Sequence, residues 1–461
     1  MFVLAIFFLI FWFPVIRNPF YYAYGEALDC DFPTFRLCGE YWRRFKIPED
    51  PYYFKDLIGA RAGTLYPVNI VMSWISSFFN VNGAWIVYVI TGLAHFFATS
   101  VLAYFMFGQG PYGIFGALAW AYGAYHIKTT LWYLETFTWI TAAITFAELH
   151  MPFWSGISLG MLLLAGHPVM VVYFSMLFVP YLIIKQFMPS PIYLALGFYQ
   201  WWRYFKYSKI SVRKSQVADD TGNLPFWVYL LSIFPIRYRE FISKIGPEEW
   251  SFYVGPVVFA LALFGRGHCW ALIAIAIVLS TGRFNFLKQR FAYRWGYFAM
   301  LGIVVLAVDG LRSLNTSQLT ICAISVITAI SLLHNQYLIR PYPFAQFTER
   351  PSKYFLNSFL KYLEFHAKGY RVNNLPYPVY TGQINHIQTP GYTGGNHIAS
   401  LGRFLNIPTH GTAPYNWFDH LPDDSSLDYY KIKYHVGSRP SDDPKWEQVY
   451  GYDNLWVNKN V

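Results

Sequence analysis

The sequence has few charged residues and few cysteines, and both shortages restrict the class of protein. Only 13% of its 461 residues are charged, compared with about 25% in an average soluble domain. Its four cysteines and twelve scattered histidines follow no zinc-ligand spacing, and no nucleic-acid-binding motif is present. Since 55% of the residues are apolar and 21% are aromatic, the composition predicts an integral membrane protein.

Apolar runs cover most of the chain before residue 340, and they predict ten or eleven membrane spans. The runs lie near residues 1–16, 64–79, 84–107, 112–126, 129–148, 153–165, 168–188, 251–264, 268–281, 295–309 and 318–334. The first run lacks the basic start and the cleavage site of a signal peptide, so we interpret it as a retained helix. The runs 64–79 and 153–165 are short enough to be re-entrant or interfacial instead, and 190–205 fits either description.

The first extramembrane loop, residues 17–63, carries seven carboxylates in a sequence that is otherwise mostly apolar. Glu26, Asp29 and Asp31 form a purely acidic stretch within it. An acidic cluster close to a bilayer can take a proton from a hydroxyl group or bind a divalent cation. The alternative is a solvated loop in which the acids only maintain solubility.

Basic residues cluster beside the apolar runs and account for much of the net charge of +10. The two clusters are Arg203, Lys206, Lys209, Arg213 and Lys214, and Arg283, Lys288, Arg290 and Arg294. Such clusters either anchor a membrane protein and contact anionic lipids or recognise the phosphate of a lipid-linked substrate.

The cysteines permit one pairing. Cys269 and Cys322 lie in apolar runs and are interpreted as packing residues. Cys30 and Cys38 share the first loop and could form a disulfide if that loop faces an oxidising compartment.

After residue 340 the sequence becomes polar and rich in turn residues, with alternating runs such as Tyr429–Val436. These features predict a soluble, mixed α/β domain at 340–461, following a transmembrane domain at 1–339. The glycine-rich turn Gly391–Gly395 lacks the strand and helix context of a nucleotide site and is interpreted as a plain loop.

Several short motifs occur in the order seen in the YfhO-like bacterial membrane glycosyltransferases, of the GT-C class, which the chain resembles over nearly its whole length. The motifs are Gly25-Glu26 before Pro33, Asp50-Pro51-Tyr52-Tyr53-Phe54, Leu65-Tyr66-Pro67-Val68-Asn69, Ala119-Trp120-Ala121-Tyr122-Gly123, Gly166-His167-Pro168, Ser211-Val212-Arg213, Trp250–Gly255 and Leu427–Tyr434. The chain departs from that family in having Glu26 in place of the usual aspartate and in ending at Val461, earlier than relatives often do.

The resemblance implies a GT-C-like helical membrane fold and transfer of a sugar from a polyprenyl-phosphate donor to a cell-envelope acceptor. It places the protein in the bacterial cytoplasmic membrane, with the loop 17–63 and the tail both outside the cell. An inverting transfer needs a carboxylate base and cations that stabilise the departing phosphate. Glu26 would be the base, with Asp29 or Asp31 as the alternative base or as ligand of an optional divalent cation.

Four further residues complete the predicted site. Arg61 and Arg213 would bind the leaving phosphate, with Lys128 as a third cation, and His167 would bind the sugar or hold the loop.

Two other functions remain open. A shortened relative could be a non-catalytic structural or assembly subunit of a larger membrane complex. A lipid or polysaccharide transporter would need ionisable residues along a buried path, for which Glu135, Glu148 and Asp309 are the main candidates.

Overall fold

The computed structural model describes residues 1–22, 31–48, 63–123, 126, 134–208, 253–281, 292–338, 350–352, 356, 358–373, 432–437, 446–452 and 455–460. Helices dominate these residues. They are α1 Phe2–Phe11, α2 Phe13–Arg17, α3 Phe32–Arg43, α4 Pro67–Ser76, α5 Val81–Met106, α6 Gly110–Ala121, α7 Leu134–Glu148, α8 Pro152–Ala165, α9 Pro168–Ile184, α10 Ile192–Ser208, α11 Pro256–Ala262, α12 Cys269–Ser280, α13 Gly296–Ser313, α14 Gln318–Leu338 and α15 Ser358–His366. The strands are β1 Arg371–Asn373, β2 Ile432–Gly437, β3 Trp446–Tyr452 and β4 Leu455–Asn460.

Each predicted apolar run contains a helix, and the helical character of the chain is confirmed. Three helices among the described residues are long and apolar enough to cross a membrane: Val81–Met106, Gly296–Ser313 and Gln318–Asn335. This is fewer than the ten or eleven predicted spans. Glycine and proline shorten several of the others, since Pro152, Pro168 and Pro256 each begin a helix and proline cannot continue a helix that runs into it.

The chain forms two compact units. Unit 1 comprises Met1–Asn18, Ile90–Phe198 and Ala218–Ala345, and unit 2 comprises Pro19–Val89, Tyr199–Val217 and Gln346–Val461. The predicted boundary near residue 340 lies outside the described residues, so the separate tail domain stays a prediction.

Short connections join the helices of unit 1 at one end, which we call the Arg312 end. They are residues 107–109, 149–151, 185–191, 263–268 and 314–317. Polar contacts tie this end together: Arg312 donates to the Phe107 carbonyl at 2.6 Å, and the Arg266 backbone N–H donates to Asp309 at 2.7 Å. The helices of unit 1 therefore turn back on themselves here in pairs.

Small residues let the helices of unit 1 approach closely. A Cβ atom at Gly310 would overlap the Leu261 carbonyl of α11, and one at Gly265 would overlap the Leu306 carbonyl of α13. Gly255, the last residue of the Trp250–Gly255 motif, has φ +92°, a conformation that glycine adopts without steric cost. Small residues at helix contacts are typical of membrane bundles, where close backbone approach replaces the hydrophobic driving force.

The outer surface of unit 1 is apolar. On α14 the side chains of Leu319, Val326, Ile327 and Ile330 are all more than half exposed. A helix with apolar side chains on its outward face fits a hydrocarbon surround, because water would penalise so large an apolar area.

Unit 2 contains a four-stranded sheet in the order β1-β2-β4-β3. β1 pairs with β2 in parallel, and β4 pairs antiparallel with both β2 and β3. Helix α15 covers the sheet, burying Phe359, Leu360 and Leu363 against Val436 and Val457. The strand signal in Tyr429–Val436 thus corresponds to β2.

Unit 2 also joins segments that are distant in sequence. Asn82, near the start of α5, donates through Nδ2 to the Ser352 hydroxyl at 3.0 Å and accepts from the Ser352 backbone N–H at 3.0 Å. Trp85 donates to the Pro19 carbonyl at 2.8 Å. The start of α5 is therefore fixed both to Pro19, in the first loop, and to Ser352, in the tail.

Candidate functional site

Three helices of unit 1 begin close together at the end opposite the Arg312 end. The backbone N–H of His167, the residue before α9, donates to Thr136 Oγ1 in the first turn of α7 at 3.0 Å. The His167 ring contacts Arg294, which precedes α13. We call this the His167 end.

Arg294 carries its charge into a buried position. It is 7% exposed, and its Nη1 lies 3.1 Å from Nε2 and 3.3 Å from Nδ1 of His167. A guanidinium only donates hydrogen bonds, and its nearly equal distances to both ring nitrogens place Nη1 against the imidazole ring. The pair therefore keeps a net positive charge.

Stacking holds Arg294 in place. The next residue, Trp295, stacks on Tyr173 of α9 with ring centroids 4.1 Å apart and planes 17° apart. Pro168 at the start of α9 fixes the turn that presents His167. The basic group is thus attached to rigid elements on both sides.

A second histidine lies beneath this pair. His126 is fully buried, its Nδ1 lies 2.7 Å from the Trp120 carbonyl, and its Nε2 lies 3.4 Å from the Tyr297 hydroxyl. Because a carbonyl only accepts, Nδ1 carries the proton and Nε2 is the acceptor. Trp120 in turn donates to Thr141 at 3.0 Å, so the Ala119–Gly123 motif anchors α6 to α7.

The His167 end holds several groups that attract anions, together with one carboxylate, Glu135, in the first turn of α7. Each helix N-terminus carries a partial positive charge of about +0.5 from its aligned peptide dipoles, and α7, α9 and α13 all begin here. Arg294 adds a full charge. Backbone N–H groups at helix starts together with an arginine form the usual chemical environment of a bound phosphate or carboxylate.

The structure describes two of the seven site residues predicted from the sequence. His167 lies at the His167 end of unit 1, and Asp31 precedes α3 in unit 2. Glu26, Asp29, Arg61, Lys128 and Arg213 lie outside the described residues, so their roles stay predictions.

Two other predictions depend on the same part of the chain. Cys38 is buried in α3, but Cys30 is not described, and the disulfide stays a prediction. Within the described ranges, no group of three or more His, Cys, Asp or Glu side chains could hold a metal ion; the cation predicted near Glu26 lies beyond those ranges.

No protein-family model matches this sequence, and no curated protein matches it significantly. The likeness to YfhO-like enzymes therefore depends on the short motifs alone. The residues that sequence reasoning missed are Thr136 and His126. A histidine inside an apolar run is the signal that could have identified His126, since ionisable groups within membrane segments are commonly functional.

Proposed function

We propose that this chain is a GT-C-type glycosyltransferase of the YfhO-like family, acting at the outer face of the bacterial cytoplasmic membrane. It moves a sugar from a polyprenyl-phosphate donor to a cell-envelope acceptor. The observation that carries the proposal is Arg294, buried against His167 where three helices of unit 1 begin. That environment suits the phosphate that must leave with the lipid.

The order of the helices and loops along the chain also supports the proposed function. α1 contacts Tyr122 through Phe11, with ring centroids 4.9 Å apart, so the chain leaves unit 1 for the loop 17–63 from the His167 end. Lys128 lies in sequence between α6 and α7. The C-terminal end of α6 and the start of α7 both lie at the His167 end.

The direction of the helices supports ten or eleven crossings. α6 runs antiparallel to α13, because Tyr112 meets Arg312 and Trp120 meets Tyr297. α8 runs antiparallel to α7, since Ser155 donates to the Ala143 carbonyl while His167 meets Thr136. The opposite directions of these two helix pairs fit helices that cross a membrane repeatedly.

The roles follow from the chemistry of an inverting transfer. Glu26 removes the proton of the attacking hydroxyl, with Asp29 or Asp31 as the alternative base or as ligand of a divalent cation. Arg61, Arg213 and Lys128 are the cations predicted from the sequence to stabilise the negative charge that develops on the phosphate, and Arg294 of unit 1 is a further candidate for that role. His167 orients Arg294 and contacts the sugar.

Two of the three acids named for the transport alternative lie away from a buried path, and the third, Glu135, lies in the first turn of α7 at the His167 end. Glu148 accepts from Tyr181 at 2.6 Å and from Lys185 at 3.1 Å, and Asp309 accepts from the Arg266 backbone. Both acids lie at the Arg312 end and are only partly buried. They do not line a buried path through unit 1.

The decisive experiment replaces Glu26 by glutamine in the purified full-length protein. This change keeps the shape but removes the proton acceptor, and loss of a general base costs about 10²–10⁴ in turnover. Asp29→Asn and Asp31→Asn should cost less, unless one of these two residues is the base. Wild-type turnover in the Glu26→Gln protein would remove the assignment, and a wild-type protein with no transferase activity would favour the assembly-subunit alternative.

A further inference from the structure

Helices α3 and α4 of unit 2 pack against each other through small residues. A Cβ atom at Gly39 of α3 would overlap the backbone carbonyl of Ser73 in α4 and would lie 3.4 Å from the Ser76 hydroxyl. Ser73 and Ser76 are buried, and each hydroxyl donates to a carbonyl of its own helix. The backbones of the two helices therefore approach closely at Gly39, where small α4 residues face α3.

The large apolar side chains of α4 point outward instead. Val68, Val71, Trp74 and Phe78 recur at helical spacing on one side of the helix and its C-terminal extension, and all four are exposed. In a water-soluble hairpin these residues would face the partner helix and the serines would face solvent. The reversed pattern, small inside and large apolar outside, is that of helices surrounded by lipid.

The hairpin is too short to cross a bilayer. α4 has 10 residues and so extends about 15 Å, half of the roughly 30 Å hydrocarbon core. The segment that follows α3 exposes more apolar surface, because Phe45 is 94% exposed and Ile47 is 47% exposed. A short element with an exposed apolar side fits a position in the interface plane.

Basic residues border the apolar surface. Arg43, Arg44 and Lys46 occupy the exposed end of α3, and the Arg43 guanidinium lies 5.1 Å from the centroid of the Phe78 ring. Such side chains extend towards headgroups while their stems lie on apolar surface. The described part of the same segment, residues 31–48, has only Asp31 and Glu40 as acids.

We propose that the α3–α4 hairpin lies in the membrane interface, with Val71, Trp74, Phe78 and Phe45 among the acyl chains and Arg43, Arg44 and Lys46 on anionic phospholipid headgroups. The bilayer that surrounds the candidate spans of the same chain also covers this apolar surface. The proposal does not depend on sugar transfer. It requires only that the chain be in a membrane.

An environment-sensitive fluorophore on Phe78→Cys tests the proposal. The full-length protein, with its native cysteines replaced by alanine, is reconstituted into bilayers of phosphatidylcholine with and without phosphatidylglycerol. We expect blue-shifted emission that brominated lipids quench and aqueous iodide does not. The matched control is Gln448→Cys, on an exposed position of β3 in the same unit, which iodide should quench and brominated lipids should not.

A second set of variants tests the charges. Replacing Arg43, Arg44 and Lys46 by glutamine should remove the extra insertion that phosphatidylglycerol produces, by about fivefold per charge, because each basic residue near an anionic surface gains about 1 kcal/mol. Val71→Cys on the same side gives the same readout if Phe78→Cys fails to fold. Iodide quenching in every bilayer would overturn the proposal. Blue-shifted emission that brominated lipids do not quench would also overturn it, because such emission indicates that protein and not lipid covers the surface.

Discussion

Removing the buried charge of Arg294 should weaken donor binding without unfolding unit 1. Arg294→Gln keeps hydrogen-bond donors near His167 but removes the cation. A phosphate about 4 Å away interacts with a full charge by about 4 kcal/mol at an effective dielectric constant of about 20. Since a hydrogen bond to a charged group contributes a net amount of only about 1.5–3 kcal/mol, we expect polyprenyl phosphate to bind about 10- to 100-fold more weakly.

The assay is equilibrium binding of polyprenyl phosphate to the full-length protein in nanodiscs, together with thermal unfolding. Arg312→Gln is the control, because it removes an arginine of unit 1 at the opposite end, where Arg312 is exposed and donates to the Phe107 carbonyl. We expect this control to lower stability and leave affinity unchanged. Equal loss of affinity in both variants would mean that general charge attraction, not the His167 end, binds the phosphate. Unchanged affinity in Arg294→Gln would refute the proposed role.

Two other predictions concern topology and packing. An impermeant thiol reagent applied from outside the cell should label Gln448→Cys in the tail and not Asn315→Cys at the Arg312 end, and the reverse result would exclude an extracytoplasmic tail. Gly310→Leu should destabilise unit 1 by about 1–3 kcal/mol or more, as overpacking does, because its Cβ would meet the Leu261 carbonyl of α11. In thermal unfolding the control Leu319→Ala, on an exposed side chain, should stay within about 0.5 kcal/mol of the wild type.

The sequence predicted the helices of this chain better than its site. Apolar runs and the prolines at helix starts can be recognised locally, which is why the run 168–188 and helix α9 begin at the same residue. The contact between His167 and Arg294 joins residues 127 positions apart, and no local pattern specifies which elements meet. The contact between Ser73 and Gly39 favours an interfacial position for the run 64–79 over a membrane crossing. That contact joins two separate helices, so the run alone does not reveal it.

The unequal ends of unit 1 have a mechanical consequence. Helices tied in pairs by connections as short as residues 107–109 and 149–151 can tilt about those ties, but they cannot slide apart there. At the other end α8 and α9 share an even shorter connection, residues 166–167, whereas α7 and α13 have no short connection to the helix before them. We expect the starts of α7 and α13 to move more than the tied ends when the helices tilt, while His167 keeps its place between α8 and α9.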